Sequence, residues 1–193
     1  MQKELINQAV KMFNASEKWN SFLELSNRKE EIRNQWFQTL KTSVTKRFCE
    51  DDVVNGWSFS SWGIWDCRWY LTEYGRESFC IWMCAGNKIA LWANPSFHDS
   101  QQITNLLNTD KYSIIMSVLR PDEVFTGDWK LVECGNFDFE SPYNGHLDPD
   151  RLAWFAGNET EKLTEQIVEK INRVRKNEAI FELFSEINRL TKK

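Results

Sequence analysis

The chain has 193 residues and a mass of 22.9 kDa, enough for one well-cored domain, and 41% apolar against 27% charged residues excludes a disordered chain. Its net charge of -4 is unevenly spread: nine Lys/Arg against six Asp/Glu in residues 1–50, six against fifteen in 51–150, and nine against seven in 151–193. An acidic middle is a poor surface for phosphates, so nucleic acid is not the expected partner, and the mildly basic ends read as solvated helix faces.

Leu5, Ile6, Ala9, Val10 and Phe13 recur at helical spacing and predict a short amphipathic helix over residues 3–13. A second is expected after Ser16 as cap, carrying Trp19, Phe22 and Leu23. Asn27 with Glu30 has the form of a capping box, opening a long stripe of Ile32, Trp36, Phe37, Leu40, Val44 and Phe48.

From Asn55 the period changes to two, and the region to Ala93 reads as three strands joined by tight turns. Gly86 and Asn87 suggest a two-residue hairpin, which sets Cys84 opposite Ile89 and Trp82 opposite Leu91. Both faces of these strands are apolar, as expected of interior strands covered front and back. Asp99 can cap a helix over residues 99–108; Tyr112 to Leu119 leans towards strand; Trp129 to Cys134 alternates, and both are expected to extend the sheet. The stretch from Gly135 to Asp148 carries loop chemistry around Phe137, Phe139 and Tyr143. Asp148 followed by Pro149 then starts a helix, Asn158 with Glu161 recaps it, and Leu163, Ile167, Ile171 and Val174 form a stripe. A last helix carries Ile180, Phe181, Phe184 and Ile187.

The expected fold is α+β in a single domain, residues 1–193. N-terminal helices (1–48) and C-terminal helices (148–191) pack on an antiparallel sheet of five or six strands within 55–134. The longest apolar stretches, 79–85 and 89–93, fall far short of the roughly 20 residues of a bilayer helix. MQKELINQAV at the N-terminus has no apolar signal core. No membrane partner is expected, and the expected location is the cytoplasm.

Five cysteines, at 49, 67, 80, 84 and 134, contain no CxxC pair and read as reduced, mostly buried thiols. A soft-metal site from Cys67, Cys80 and Cys84 is the competing reading, and small core residues are the favoured one. The eight glycines are never closer than seven residues, so no loop gathers several backbone amides around a phosphate, and no cofactor is expected. His98 and His146 sit in no ligand or nucleophile motif, although His146 has Asp148 and Asp150 beside it.

Pro121, Asp122 and Glu123, followed by Asp128, Trp129 and Lys130, satisfy in letters the PD…(D/E)xK pattern of a nuclease superfamily. Carboxylates for a hard cation and an ammonium for developing charge are the right chemistry. Yet five residues between Asp122 and Asp128 suit a turn with acidic residues better than that family's long strand excursion. Asp122, Asp128 and Lys130, with Glu133 and His146 as accessories, are therefore candidates for a metal-dependent hydrolase or nuclease-like domain, the alternative reading.

Most of the ten tryptophans are expected in the core. Trp62, Asp66, Arg68 and Tyr70, however, share one strand face, and a face that mixes aromatic and charged groups has the composition of a recognition surface. The expectation is a non-catalytic interaction module that uses these four residues, with a protein as partner.

Overall fold

The computed structural model describes residues 2–48, 53–63, 66–84, 88–119, 123–124, 132–134 and 148–193. The fold is α+β, with eight α-helices and one antiparallel sheet among the described residues. Three helices come first, α1 (Gln2–Met12), α2 (Ser16–Asn27) and α3 (Lys29–Arg47). Four strands follow, β1 (Trp57–Trp62), β2 (Asp66–Leu71), β3 (Cys80–Cys84) and β4 (Lys88–Trp92), then α4 (Ser100–Leu107) and α5 (Ser113–Leu119). Short segments β5 (Glu123–Val124) and β6 (Val132–Cys134) precede α6 (Pro149–Asn158), α7 (Thr160–Arg175) and α8 (Glu178–Thr191).

Among the described residues the sheet proper is four strands, paired in chain order, rather than the five or six expected. Beyond β4 the described residues add only the short pairings of β6, three residues, and β5, two residues. Tyr112 to Leu119, expected as a strand, is a 3₁₀ turn followed by α5. Tyr112 and Ile115 are buried and Val118 is half-buried, and this spacing of three outweighs the β-leaning composition of a short apolar run.

One face of the sheet carries Trp57, Phe59, Cys67, Trp69, Leu71, Ile81, Met83, Ile89 and Leu91, all at most 4% exposed. Helices cover it. Phe48, just past α3, packs edge-on against Trp69 with centroids 5.0 Å apart, and Phe184 of α8 meets both Trp57 and Phe79, at 4.9 and 4.6 Å. The stripes Phe37, Leu40 and Val44 of α3 and Leu163, Ile167 and Ile171 of α7 belong to the same core. Asn188, fully buried on α8, docks that helix to the start of β3: its Oδ1 accepts from Phe79 N at 2.8 Å, and its Nδ2 donates to the carbonyls of Phe79 and Phe184. Buried backbone polar groups are thereby paired where the sheet begins.

Hairpin β3–β4 pairs Cys84 with Lys88 and Trp82 with Ala90, one residue out of the register expected from Gly86 and Asn87. Three residues, not two, separate the paired strand ends. Because side chains alternate, this slip decides which residues share a face. It joins Ile81 and Met83 to Leu91 and Ile89 under the helices and sends Trp82 and Trp92 to the other face.

Of the expected caps, two form: Asp99 Oδ1 accepts from Gln102 N at 3.0 Å, and Asp148 Oδ1 accepts from the amides of Asp150 and Arg151. Three do not. Helix α2 begins after Ala15 and α3 after Arg28, neither with a side-chain cap, because α2 runs on through Asn27 and leaves its side chain no helix start to bond. Asn158 is the last residue of α6, where its Nδ2 donates to the Trp154 carbonyl instead. Asn177 supplies a cap for α8.

Candidate functional site

The register places Trp62, Asp66, Arg68 and Tyr70 together on the sheet face that turns away from α3 and α8. It also brings Cys80, Trp82, Ala90 and Trp92 onto that face, through the row Ser58–Tyr70–Cys80–Trp92 and the row Ser60–Arg68–Trp82–Ala90. Burial is graded across it: Cys80, Ala90 and Trp92 are buried, Tyr70, Asp66 and Trp82 half-buried, and Trp62, at the edge, is 69% exposed.

Arg68 is the centre of this face. Its Nε and Nη2 donate to the two carboxylate oxygens of Asp66, at 2.9 and 2.8 Å, in a fork that suits a planar guanidinium. Nη1 donates to Glu77 Oε1 at 3.0 Å and to the Arg76 carbonyl at 3.2 Å. The guanidinium also lies over Trp92, whose ring is 6.1 Å from that of Trp82. Burial disfavours its charge, but the hydrogen bonds and charge of Asp66 more than offset this, and Arg68 stays firmly protonated.

Arg76 and Glu77 come from the connection between β2 and β3, which folds back over this face. Gly75, at φ +80°, makes the required turn, and Ser78 closes it by donating N–H and hydroxyl to the Gly75 carbonyl. Glu77 accepts from Arg76 Nε at 3.1 Å and from Asn94 Nδ2 at 2.9 Å. Burial works to raise the Glu77 carboxyl, but these hydrogen bonds and the charges of Arg68 and Arg76 prevail and hold it below the usual carboxylate range. Arg76 also stands 5.4 Å from the centre of the Trp62 ring. At its other end Trp62 adjoins Gly63, φ +58°, whose carbonyl accepts from Lys41 Nζ of α3.

The result is a braced surface: a half-buried ion network behind, and an exposed indole with an arginine in front. Arg76, Glu77, Trp82 and Trp92 were not among the residues expected from the sequence. The two tryptophans are legible once the β3–β4 register is right, whereas Arg76 and Glu77 lie in a loop without periodicity.

Trp57 and Trp69 belong to the helix-covered core, as expected of most of the tryptophans, and the other candidate residues fare differently. Trp65, Asp122, Asp128, Lys130 and His146, like the loop from Phe137 to Tyr143, lie outside the described residues, as does the side chain of Glu133. Cys67 and Cys80 project from opposite faces, so no thiol site joins them. Both are buried, and burial pushes the Cys80 thiol far up. His98 is buried, its Nδ1 3.1 Å from Thr191 Oγ1, tying the loop before α4 to the end of α8. Among the described residues no group of three His, Cys, Asp or Glu side chains is placed to hold a metal ion, and no helix is long and apolar enough to cross a membrane. Comparison of the chain with family models, curated proteins and solved structures gives no match.

Proposed function

We propose that the chain is a non-catalytic cytosolic module that binds another protein through the face of Trp62, Asp66, Arg68 and Tyr70, extended by Arg76. The observation that carries this reading is the 69% exposure of Trp62 on a strand end whose neighbours are fixed. A large apolar ring held in water gains most when a partner covers it, and Trp and Arg are the residues that dominate binding energy at protein interfaces. Arg68, Asp66 and Glu77 act behind it as a frame. Their polar atoms satisfy one another, so the surface enters an encounter already ordered and loses little entropy on binding. The acidic middle of the sequence favours a protein over nucleic acid as the partner.

The test is co-purification from the native host with the intact chain and with Trp62→Ala and Arg76→Ala. A defined protein that accompanies the intact chain, and falls at least about tenfold with either variant while the far-UV circular dichroism is unchanged, supports the reading. Equal recovery with all three chains contradicts it. So does a Mg²⁺- or Mn²⁺-dependent rise in Tm that Asp128→Ala abolishes, which would favour a metal-dependent hydrolase at Asp122, Asp128 and Lys130.

A further inference from the structure

A cavity of about 170 Å³ lies where three segments meet: the β2–β3 connection, the loop between β4 and α4, and the end of α8. Its walls are fixed. Tyr74 Oη is 2.9 Å from Ser185 Oγ, the Asn94 amide donates to the Glu77 carbonyl at 3.1 Å, and the amides of Asp99 and Lys193 donate to the carbonyls of Thr191 and Phe97, both at 2.9 Å. Three groups on the lining remain uncommitted. The carboxylate of Glu73 and the ammonium of Lys192 make no ion pair among the described residues, with each other or elsewhere. The third is Nε2 of His98, whose state follows from its neighbours. Thr191 donates its hydroxyl proton to the Ile187 carbonyl at 2.8 Å, so towards His98 Nδ1 it can only accept. In the neutral ring the proton therefore sits on Nδ1, and Nε2 keeps a bare lone pair. Burial and the charges of Lys192 and Lys193 favour that neutral form. Although His98 is only 5% exposed, its Nε2 has no partner among the described residues and is left to the cavity that the ring lines.

We propose that this cavity binds a free α-amino acid, its ammonium donating to Glu73 and to His98 Nε2 and its carboxylate meeting Lys192. The ligand has to answer an anion, a cation and a bare acceptor at once, and other classes answer only some of them. An amine alone is repelled by Lys192, and an anion alone faces Glu73 and the His98 lone pair. An apolar molecule would strip water from all three groups and replace none of it. A metal ion needs several ligands close together, and no such group exists among the described residues. A zwitterion adds no net charge and gives each group a charge-assisted hydrogen bond. The size agrees, since the cavity is smaller than the roughly 300–1,000 Å³ of sites for drug-sized molecules. Tyr74 and the 55% exposed Phe97 add aromatic surface on which a side chain can lie. Glu77 also borders the cavity but is already engaged, its oxygens accepting from Arg68, Arg76 and Asn94.

Thermal unfolding of the full chain with each of the common amino acids at about 10 mM tests the proposal, because a ligand stabilises the state that binds it. Methylamine, acetate and the same amino acid capped as its N-acetyl amide are the controls. At least one free amino acid is expected to raise Tm by about 3 °C or more and to bind with a Kd of about 1 mM or below in calorimetry. The controls bind at least about tenfold more weakly, since each lacks one or both charges. Glu73→Gln and Lys192→Gln, both at exposed positions, each weaken binding of that amino acid by a similar factor while circular dichroism stays unchanged. The proposal is overturned if no amino acid shifts Tm, if methylamine or acetate alone binds as tightly as the amino acid, or if both variants bind as the intact chain does. Trp62→Ala binds the amino acid as the intact chain does, which keeps this test separate from that of the sheet face.

Discussion

The guanidinium carbon of Arg68 stands 4.0 Å from the centroid of the Trp92 ring, a cation held over an indole while its N–H groups bond Asp66 and Glu77. Two strands and a loop are tied together at this point. Arg68 lies on β2, Trp92 on β4, and Glu77 on the connection that folds over both. Removing the arginine takes from Asp66 the fork that holds it and leaves Glu77 with Arg76 and Asn94 alone, and a part-buried carboxylate stripped of its partner costs more than the pair itself contributes.

Arg68→Ala is accordingly expected to lower the unfolding free energy by roughly 2–4 kcal/mol, measured by urea denaturation. Arg68→Lys recovers less than half of the loss, since one ammonium cannot reproduce a fork to Asp66 and a third bond to Glu77. Full recovery by lysine would show that charge alone matters here.

Acid is expected to destabilise the fold in two stages. His98 is held below the ordinary histidine value by burial and by the charges of Lys192 and Lys193. The unfolded chain therefore takes up this proton first as pH falls. The stability His98 contributes is full above the ordinary value of about 6.5 and is lost as pH drops through the folded value. Glu77 behaves alike at lower pH: its depressed carboxyl contributes fully above about 4.3, and the contribution disappears on further acidification. Urea midpoints measured from pH 8 to pH 3 should fall in both windows. His98→Gln should flatten the first and Glu77→Gln the second.

Much of this frame is legible in the sequence, and the failures have identifiable causes. Stripes such as Leu163, Ile167 and Ile171, or Ile180, Phe184 and Ile187, announce their helices because a single buried face forces the spacing. Asp99 and Asp148 announce helix starts through their local amide bonds. The grouping of Asp66, Arg68 and Tyr70 needs only the alternation of one strand, whereas Trp62 lies on β1 and joins them through its pairing with Asp66. Their joining to Trp82 and Trp92 needs the register of a neighbouring hairpin, where Gly86 and Asn87 misdirect by one residue. The positions of Arg76 and Glu77 depend on a loop fixed by tertiary hydrogen bonds, which no periodicity records.

Gly157 offers a test of helix packing with an inverted sign. In an open helix Gly→Ala stabilises by up to about 1 kcal/mol. Here a Cβ on Gly157 would collide with the Trp36 ring, near its attachment to the side chain, where α3 crosses α6. Gly157→Ala should therefore destabilise by roughly 1–3 kcal/mol. In a Trp36→Ala background the same substitution should become stabilising, and a double-mutant cycle reads the difference.

Cys67 and Cys80 should resist alkylation in the folded chain. Both are fully buried, and for Cys80 burial holds the thiol in its unreactive protonated form. A brief iodoacetamide pulse at neutral pH, read by peptide mass, should leave both unmodified without urea and label both in its presence. Labelling of native Cys80 would mean that the sheet opens on this face.

The most direct test of the account is a photo-crosslinking amino acid at position 62, activated in the living host. The account predicts a discrete adduct with another protein, diminished by Arg76→Ala. A chain that stays unmodified, or one that captures only nucleic acid, would contradict it.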